Sequence, residues 1–232
     1  MEGRLFLIPV TLGGEDFSYV IPDQVLRITR DLRFFIVEEI RSARRFLRLI
    51  DRHFPVDESH FSVLNEHTPE DEIDKFLEPL RNGSDMGLMS EAGLPCIADP
   101  GARIVSIAHK KNYRVIPLAG PSSIILALIS SGFNGQNFTF NGYLPVKPAE
   151  KINKIRDLEK KAREGYSQIF METPYRSQKL FEAIAQTCSN ETRLCIASDI
   201  TLPSELIKTM KISEWKKSVP DLKDRLVVFV IQ

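Results

Sequence analysis

Apolar positions in this chain fall into short runs, and the stretches between the runs repeat apolar residues at helical spacing. In the first half, Arg4–Val10, Arg33–Glu38, Met86–Met89 and Tyr113–Leu118 read as strands. In the second half the strand readings are Phe138–Leu144, Gln168–Glu172, Leu194–Ser198 and Leu226–Ile231. Helical patterns cover Ile21–Thr29, with Pro22 in its first turn, then Ser42–Phe54, Pro69–Leu80, Ala102–Lys111, Ile124–Ser131 and Lys147–Arg163. A further helix starts at Thr173–Arg176. Strand, tight loop, helix, repeated, predicts an α/β fold. Two helices stand out. Ser42–Phe54 carries Ala43, Phe46, Leu47, Ile50 and Phe54 on one face, with Arg41, Arg44, Arg45, Arg48 and Arg52 opposite. Ile124–Ser131 is apolar almost all round, which predicts burial between layers.

The most informative loops follow the third and fourth strands. Ser90-Glu91-Ala92-Gly93-Leu94-Pro95 leaves Met89, and Ala119-Gly120-Pro121-Ser122-Ser123 leaves Leu118. Ligands of open α/β sheets sit beyond the carboxyl ends of the strands, on such loops. Gly93 and Gly120 admit close backbone approach, Pro95 and Pro121 stiffen the turns, and Ser122 or Ser123 can cap the helix that follows. Asp99 can cap the helix from Ala102. Composition alone is also satisfied by two ordinary turns.

Composition removes several alternatives. A chain of 232 residues is comfortable for two domains, and the boundary is expected near Leu118, giving 1–118 and 119–232. The longest apolar run, Ile124–Ile129, is too short to cross a bilayer, and Pro9 with Gly13-Gly14 interrupts any leader-like pattern at the start. Three cysteines (Cys96, Cys188, Cys195) form neither a disulfide framework nor a metal spacing, which fits a reducing cytoplasm. His53, His60 and His67 recur every seven residues without a compact ligand spacing and read as scattered surface histidines; no metal site is expected. Net charge is zero, so contact with nucleic acid has to come from local patches. The arginine stripe and the basic run from Lys147 to Arg163 are such patches; solvated helix faces would look the same.

The string SEAGLPCIADPG followed by VIPLAGPSS resembles the tetrapyrrole methylase superfamily, the class III S-adenosylmethionine-dependent methyltransferases. It is most similar to the branch that methylates a ribose 2′-hydroxyl of small-subunit ribosomal RNA, whose pattern is SDAGTP-x-I-S-DPG and then PGPSA. Weaker matches continue along the chain. Glu38 and Arg41 match an EDTR turn, Asn65-Glu66-His67 an HNE element, FTFNGYLP an F-x-G-[FY]-LP strand, and Met171–Arg176 a YESPHR element that keeps Glu172, Pro174 and Arg176. Departures are Glu91 and Leu94 for an aspartate and a threonine, and Ser198-Asp199-Ile200-Thr201-Leu202-Pro203 where an RELTK-like element is usual. Many relatives also carry an extra C-terminal module, whereas this sequence ends at Gln232.

The resemblance implies two α/β domains of the tetrapyrrole methylase type with S-adenosylmethionine in the cleft between them. It places Val10, Ser90, Gly93, Leu94, Pro95, Ile97, Gly120, Ser122, Ser123, Ile124, Met171 and Ala197 around that cofactor. The acceptor it implies is ribosomal RNA, in a cytoplasmic enzyme that forms a homodimer. A small tetrapyrrole-like molecule, a protein acceptor, or cofactor binding without turnover are the alternatives. No catalytic base is assigned; Glu38, Glu172 and Asp199 are the carboxylates in position to be considered.

Overall fold

The computed structural model describes residues 2–232. The chain packs as two compact units, Met1–Ser122 and Ser123–Gln232.

The first unit holds a five-stranded parallel sheet. Its elements in chain order are β1 (Arg4–Ile8), α1 (Asp23–Asp31), β2 (Phe34–Val37), α2 (Ile40–Ile50), β3 (His60–Val63), α3 (Glu70–Phe76), α4 (Glu78–Arg81), β4 (Met86–Met89), α5 (Gly101–Lys110) and β5 (Arg114–Pro117). The strand order is β3-β2-β4-β1-β5. Side chains alternate between two covered faces, as the pleat requires. Phe6, Ile8, Phe35, Val37 and Met89 pack with α1 and α2. Leu5, Ile36, Met86 and Leu88 pack with α3, α4 and α5. All four residues of β4 are buried, as expected of a central strand with helices on both sides. The chain leaves β1 toward one face and β4 toward the other, although these strands are neighbours. Their loops therefore part at a topological switch point, where open sheets bind ligands.

The second unit comprises α6 (Ser123–Ser131), β6 (Phe138–Tyr143), α7 (Pro148–Arg163), β7 (Ser167–Glu172), a 3-10 turn (Pro174–Arg176), α8 (Ser177–Thr187), β8 (Arg193–Ser198), β9 (Leu206–Lys211), α9 (Ile212–Trp215) and β10 (Val227–Ile231). Its sheet is mixed, in the order β6-β7-β10-β8-β9, with β6 and β7 parallel and the remaining pairs antiparallel. The last strand inserts in the middle. Phe170, Ile196 and Phe229 on one face pack with Leu158 of α7, Leu180 and Phe181 of α8, and Trp215 of α9.

Several element boundaries differ from the pattern reading, each for a local reason. Pro22 precedes α1 as its N-cap rather than joining the first turn. α2 starts early because the Glu39 carboxylate accepts the amides of Arg41 and Ser42, and it stops at Ile50 because Asp51 turns extended. The single helix expected over Pro69–Leu80 is two, since Pro79 has no N–H to bond back into α3 and sits instead in the first turn of α4, where none is needed. α6 is not buried all round: Ile125 is 42% exposed and Ile129 70%. One sheet face covers only part of a helix circumference, so the fully apolar pattern overstated its burial.

Candidate active site

Three loops meet at the carboxyl ends of the adjacent strands β4, β1 and β5. The Val10 amide donates to the Gly93 carbonyl at 2.9 Å, which bridges the loops after β1 and β4. Gly93 takes a φ of +72°, and a Cβ there would lie 3.2 Å from the Pro121 carbonyl and 3.1 Å from Leu12. Gly120 lies against Pro9 so closely that a Cβ would fall inside the ring's van der Waals surface. These are close approaches that only glycine allows.

The loop after β4 is tightly wound. Cys96 and Ala98 both adopt left-handed conformations, with φ of 71° and 62°. Such strain persists where the surroundings over-determine it. Asp99 does so here, accepting the Cys96 amide at 2.8 Å and the Gly101 amide at 2.7 Å, the latter at the start of α5. Burial raises the Asp99 carboxyl above its ordinary range, against the pull of those amides. Burial, with the Asp99 charge beside it, pushes the Cys96 thiol up to about 11, so it is not a nucleophile near neutral pH.

A cavity of about 210 Å³ opens at the switch point. Val10 and Ser90 line it, together with Gly13, Gly14, Phe46 and Met89. Ser90 Oγ donates to the Ala92 carbonyl at 3.2 Å, which closes the turn beneath it. Leu94 is half-buried, Pro95 is buried, and Ile97 is 40% exposed; none of the three lines this cavity. A larger cavity, about 440 Å³, lies at the opposite, amino end of the sheet between Arg4, Asp31, Arg33 and Asp85. It is far from the loops on which open sheets bind ligands.

Ser122 is buried and Ser123 opens α6, with Ile124 buried in the first turn. In the second unit the register gathers Met171, Val228 and Ala197 side by side on β7, β10 and β8. They share the face turned away from the Phe170–Phe229 core. Val228 was not anticipated. Only the long-range insertion of β10 between β7 and β8 places it there, and no local signal marks it.

The three carboxylates considered as bases separate cleanly. Glu172 is buried and its Oε1 is held by Arg176 at 2.7 Å. Asp199 accepts Arg225 Nε at 2.7 Å, the Ser204 hydroxyl at 2.9 Å and the Leu226 amide at 3.2 Å. Both serve as anchors. Asp199 is thus paired with an arginine remote in sequence, at the start of the segment where the RELTK-like element is lacking. Glu38, at the end of β2, accepts the Glu91 amide at 3.2 Å. Its carboxyl is raised, first by burial and next by Asp99; the Glu91 amide opposes this and the Glu91 charge reinforces it.

A raised Glu38 stabilises the fold below the ordinary glutamate range, and that contribution fades as pH climbs through the elevated folded value. Glu38→Gln keeps an oxygen for the Glu91 amide but does not ionise. The variant should melt above the wild type at about pH 8 and lose that advantage near pH 4, below the unperturbed glutamate pKa. A melting difference that ignores pH would show that Glu38 titrates normally.

The model of the family described as Tetrapyrrole (Corrin/Porphyrin) Methylases matches residues 24–216. The chain belongs to that family. This methylase is therefore a methyltransferase with the family's two α/β units. It is similar to "Ribosomal RNA small subunit methyltransferase I" of Haemophilus influenzae, at 30% identity over 236 residues, which covers 100% of this chain and 79% of the relative. The Pseudomonas aeruginosa protein of the same name is 28% identical over 212 residues, 91% of this chain and 71% of the relative. Among solved structures, the methyltransferase CobJ superposes with a TM-score of 0.64 at 16% identity, covering 99% of this methylase and 93% of CobJ. That likeness concerns the fold. Among the described residues, no helix of this methylase is long and apolar enough to cross a membrane.

Proposed function

We propose that this methyltransferase uses S-adenosylmethionine to methylate a ribose 2′-hydroxyl of small-subunit ribosomal RNA. The observation that carries the reading is the three-loop cradle, in which Val10 binds Gly93 and Gly120 presses on Pro9 with no room for a side chain. These contacts lock the three loops to one another, so the rim that meets a ligand is ordered before binding. Val10, Ser90, Gly93, Gly120, Ser122 and Ser123 would hold the cofactor, with Leu94, Pro95, Ile97 and Ile124 beside them. In the second unit we assign the adenine to the face carrying Met171, Val228 and Ala197. The cofactor supplies a methyl group on an activated sulfonium. The chain's task is to align the acceptor oxygen behind that carbon. Residues of the chain would hold the acceptor oxygen in line with the methyl carbon and pass the hydroxyl proton to a base or to water, while the cofactor would depart as its neutral thioether. Glu38 is the carboxylate nearest that role, since burial makes it a better proton acceptor than an ordinary glutamate.

The names of the relatives favour RNA over a small molecule or a protein side chain. The same reading takes the enzyme to be cytoplasmic and homodimeric, which sedimentation at micromolar concentration would check. S-Adenosylmethionine at about one hundred times Kd should add about 2.7 kcal/mol of stability. That corresponds to a melting rise of roughly 5–10 °C for a chain of this size. Tritiated methyl should pass to small-subunit RNA from cells lacking the gene. A flat melting curve at millimolar cofactor would remove the cofactor assignment, and transfer only to protein or small molecules would remove the RNA assignment.

A further inference from the structure

The cavity at the switch point is too small for the whole cofactor. Sites for drug-sized ligands run from about 300 Å³ upward, whereas this one holds about 210 Å³. It nevertheless shares Val10 and Ser90 with the cradle. Its inner wall is apolar, formed by Val10, Phe46, Leu49 and Met89. Its lip carries Arg45, with Glu15 and Glu91 as the acidic members. A slot of that size and polarity suits one planar base and its sugar rather than an extended ligand.

Arg45 does not stand alone. It belongs to the outer face of α2, where Arg41, Arg44, Arg45 and Arg48 are exposed, and Arg52 continues the line past the helix end. Arg44 stacks on Phe61, 5.4 Å from the ring centroid, and Arg48 sits 3.9 Å from Asp57. Arg41, Arg45 and Arg52 form no ion pair among the described residues. The first-turn amides of α2 are already taken by Glu39, at 2.9 and 2.6 Å, so the helix end offers nothing to an anion. Anion binding here falls to the guanidinium groups, whose planar forks match phosphate.

We infer that this cavity receives the acceptor nucleotide, single-stranded and turned out of its stack, and that Arg45 grips its phosphate while the α2 arginines track the adjoining strand. The inference deepens the proposed function and rests on it. Sequence-specific recognition of RNA mostly targets single-stranded loops and bulges whose unstacked bases are splayed out onto the protein, and single strands lie in basic grooves whose binding weakens with salt.

The test is steady-state methyl transfer to small-subunit RNA from cells lacking the gene, with the wild type, Arg45→Glu, Arg45→Lys and Arg114→Glu. Arg114 is exposed at the far end of β5 and serves as the control. Losing one charged phosphate contact should raise the RNA KM about tenfold or more. The slope of log KM against log salt should become shallower by about 0.7, the value for one phosphate on a single strand. Arg45→Lys should recover the salt slope and only part of the KM. The cofactor-induced melting rise and the Arg114→Glu kinetics should match the wild type. An Arg45→Glu enzyme with wild-type KM and salt slope would overturn the inference while leaving the proposed function standing. A wild type that binds cofactor but methylates no RNA would overturn both.

Discussion

Replacing Gly120 by alanine is expected to lower the melting temperature by roughly 2–12 °C and to cut methyl transfer about a hundredfold. The reason is local. A Cβ on Gly120 would penetrate Pro9 at Cβ and Cγ, and Pro9 is a rigid ring at the end of β1. Neither partner can rotate away, so the loops after β1 and β5 must separate. Overpacking of this kind costs about 1–3 kcal/mol, and each kcal/mol is worth about 2–4 °C in a chain of this size. The catalytic loss should exceed the stability loss, because a displacement of about 1 Å in a positioning element can cost about 10²-fold. Gly135→Ala is the control, since a Cβ there meets nothing within 4 Å. It should change stability by less than about 0.5 kcal/mol. Melting curves with and without S-adenosylmethionine separate the two effects. If Gly120→Ala melts and binds cofactor like the wild type, the loops are not interlocked.

That interlock was only half legible in the sequence. The strands of the first unit announce themselves, because β1, β2 and β4 are buried and read as continuous apolar runs. The loops after β4 and β5 were legible too, since Gly93, Gly120 and the prolines are local signals with a local cause. The contacts between the loops were not. Pairing of Val10 with Gly93 depends on β1 lying beside β4, which is a property of strand order rather than of either segment. Edge elements escaped for a different reason. β3 and β9 are only half-buried, so their apolar alternation is weak, and neither was anticipated. Arg45 was visible as one of five arginines, but its place on the lip of a cavity required the packing of α2 against β1 and β4.

The same logic identifies the ion pair whose loss the fold should tolerate least. Arg176→Met is expected to destabilise the protein by about 3–5 kcal/mol, the cost typical of breaking a buried pair by removing one partner. The Glu172 side chain is 0% exposed. Its Oε1 takes Arg176 at 2.7 Å and the Thr173 amide at 2.9 Å, while Oε2 is buried without a hydrogen-bond partner. Without the guanidinium, the carboxylate keeps only Thr173 and cannot reach water. At about 2–4 °C per kcal/mol the melting temperature should fall by roughly 6–20 °C near neutral pH. The double variant Glu172→Leu, Arg176→Met should recover most of the loss, because an apolar pair leaves no charge to desolvate. Recovery of stability without recovery of cofactor affinity would show what the pair is for. Glu172 directly follows Met171 and is paired with Val227, so the ion pair fixes the end of β7 where Met171 meets Val228. A double variant that regains both stability and affinity would make the pair a matter of folding alone; one that regains only stability makes Glu172 and Arg176 positioning residues for the face proposed to receive the adenine.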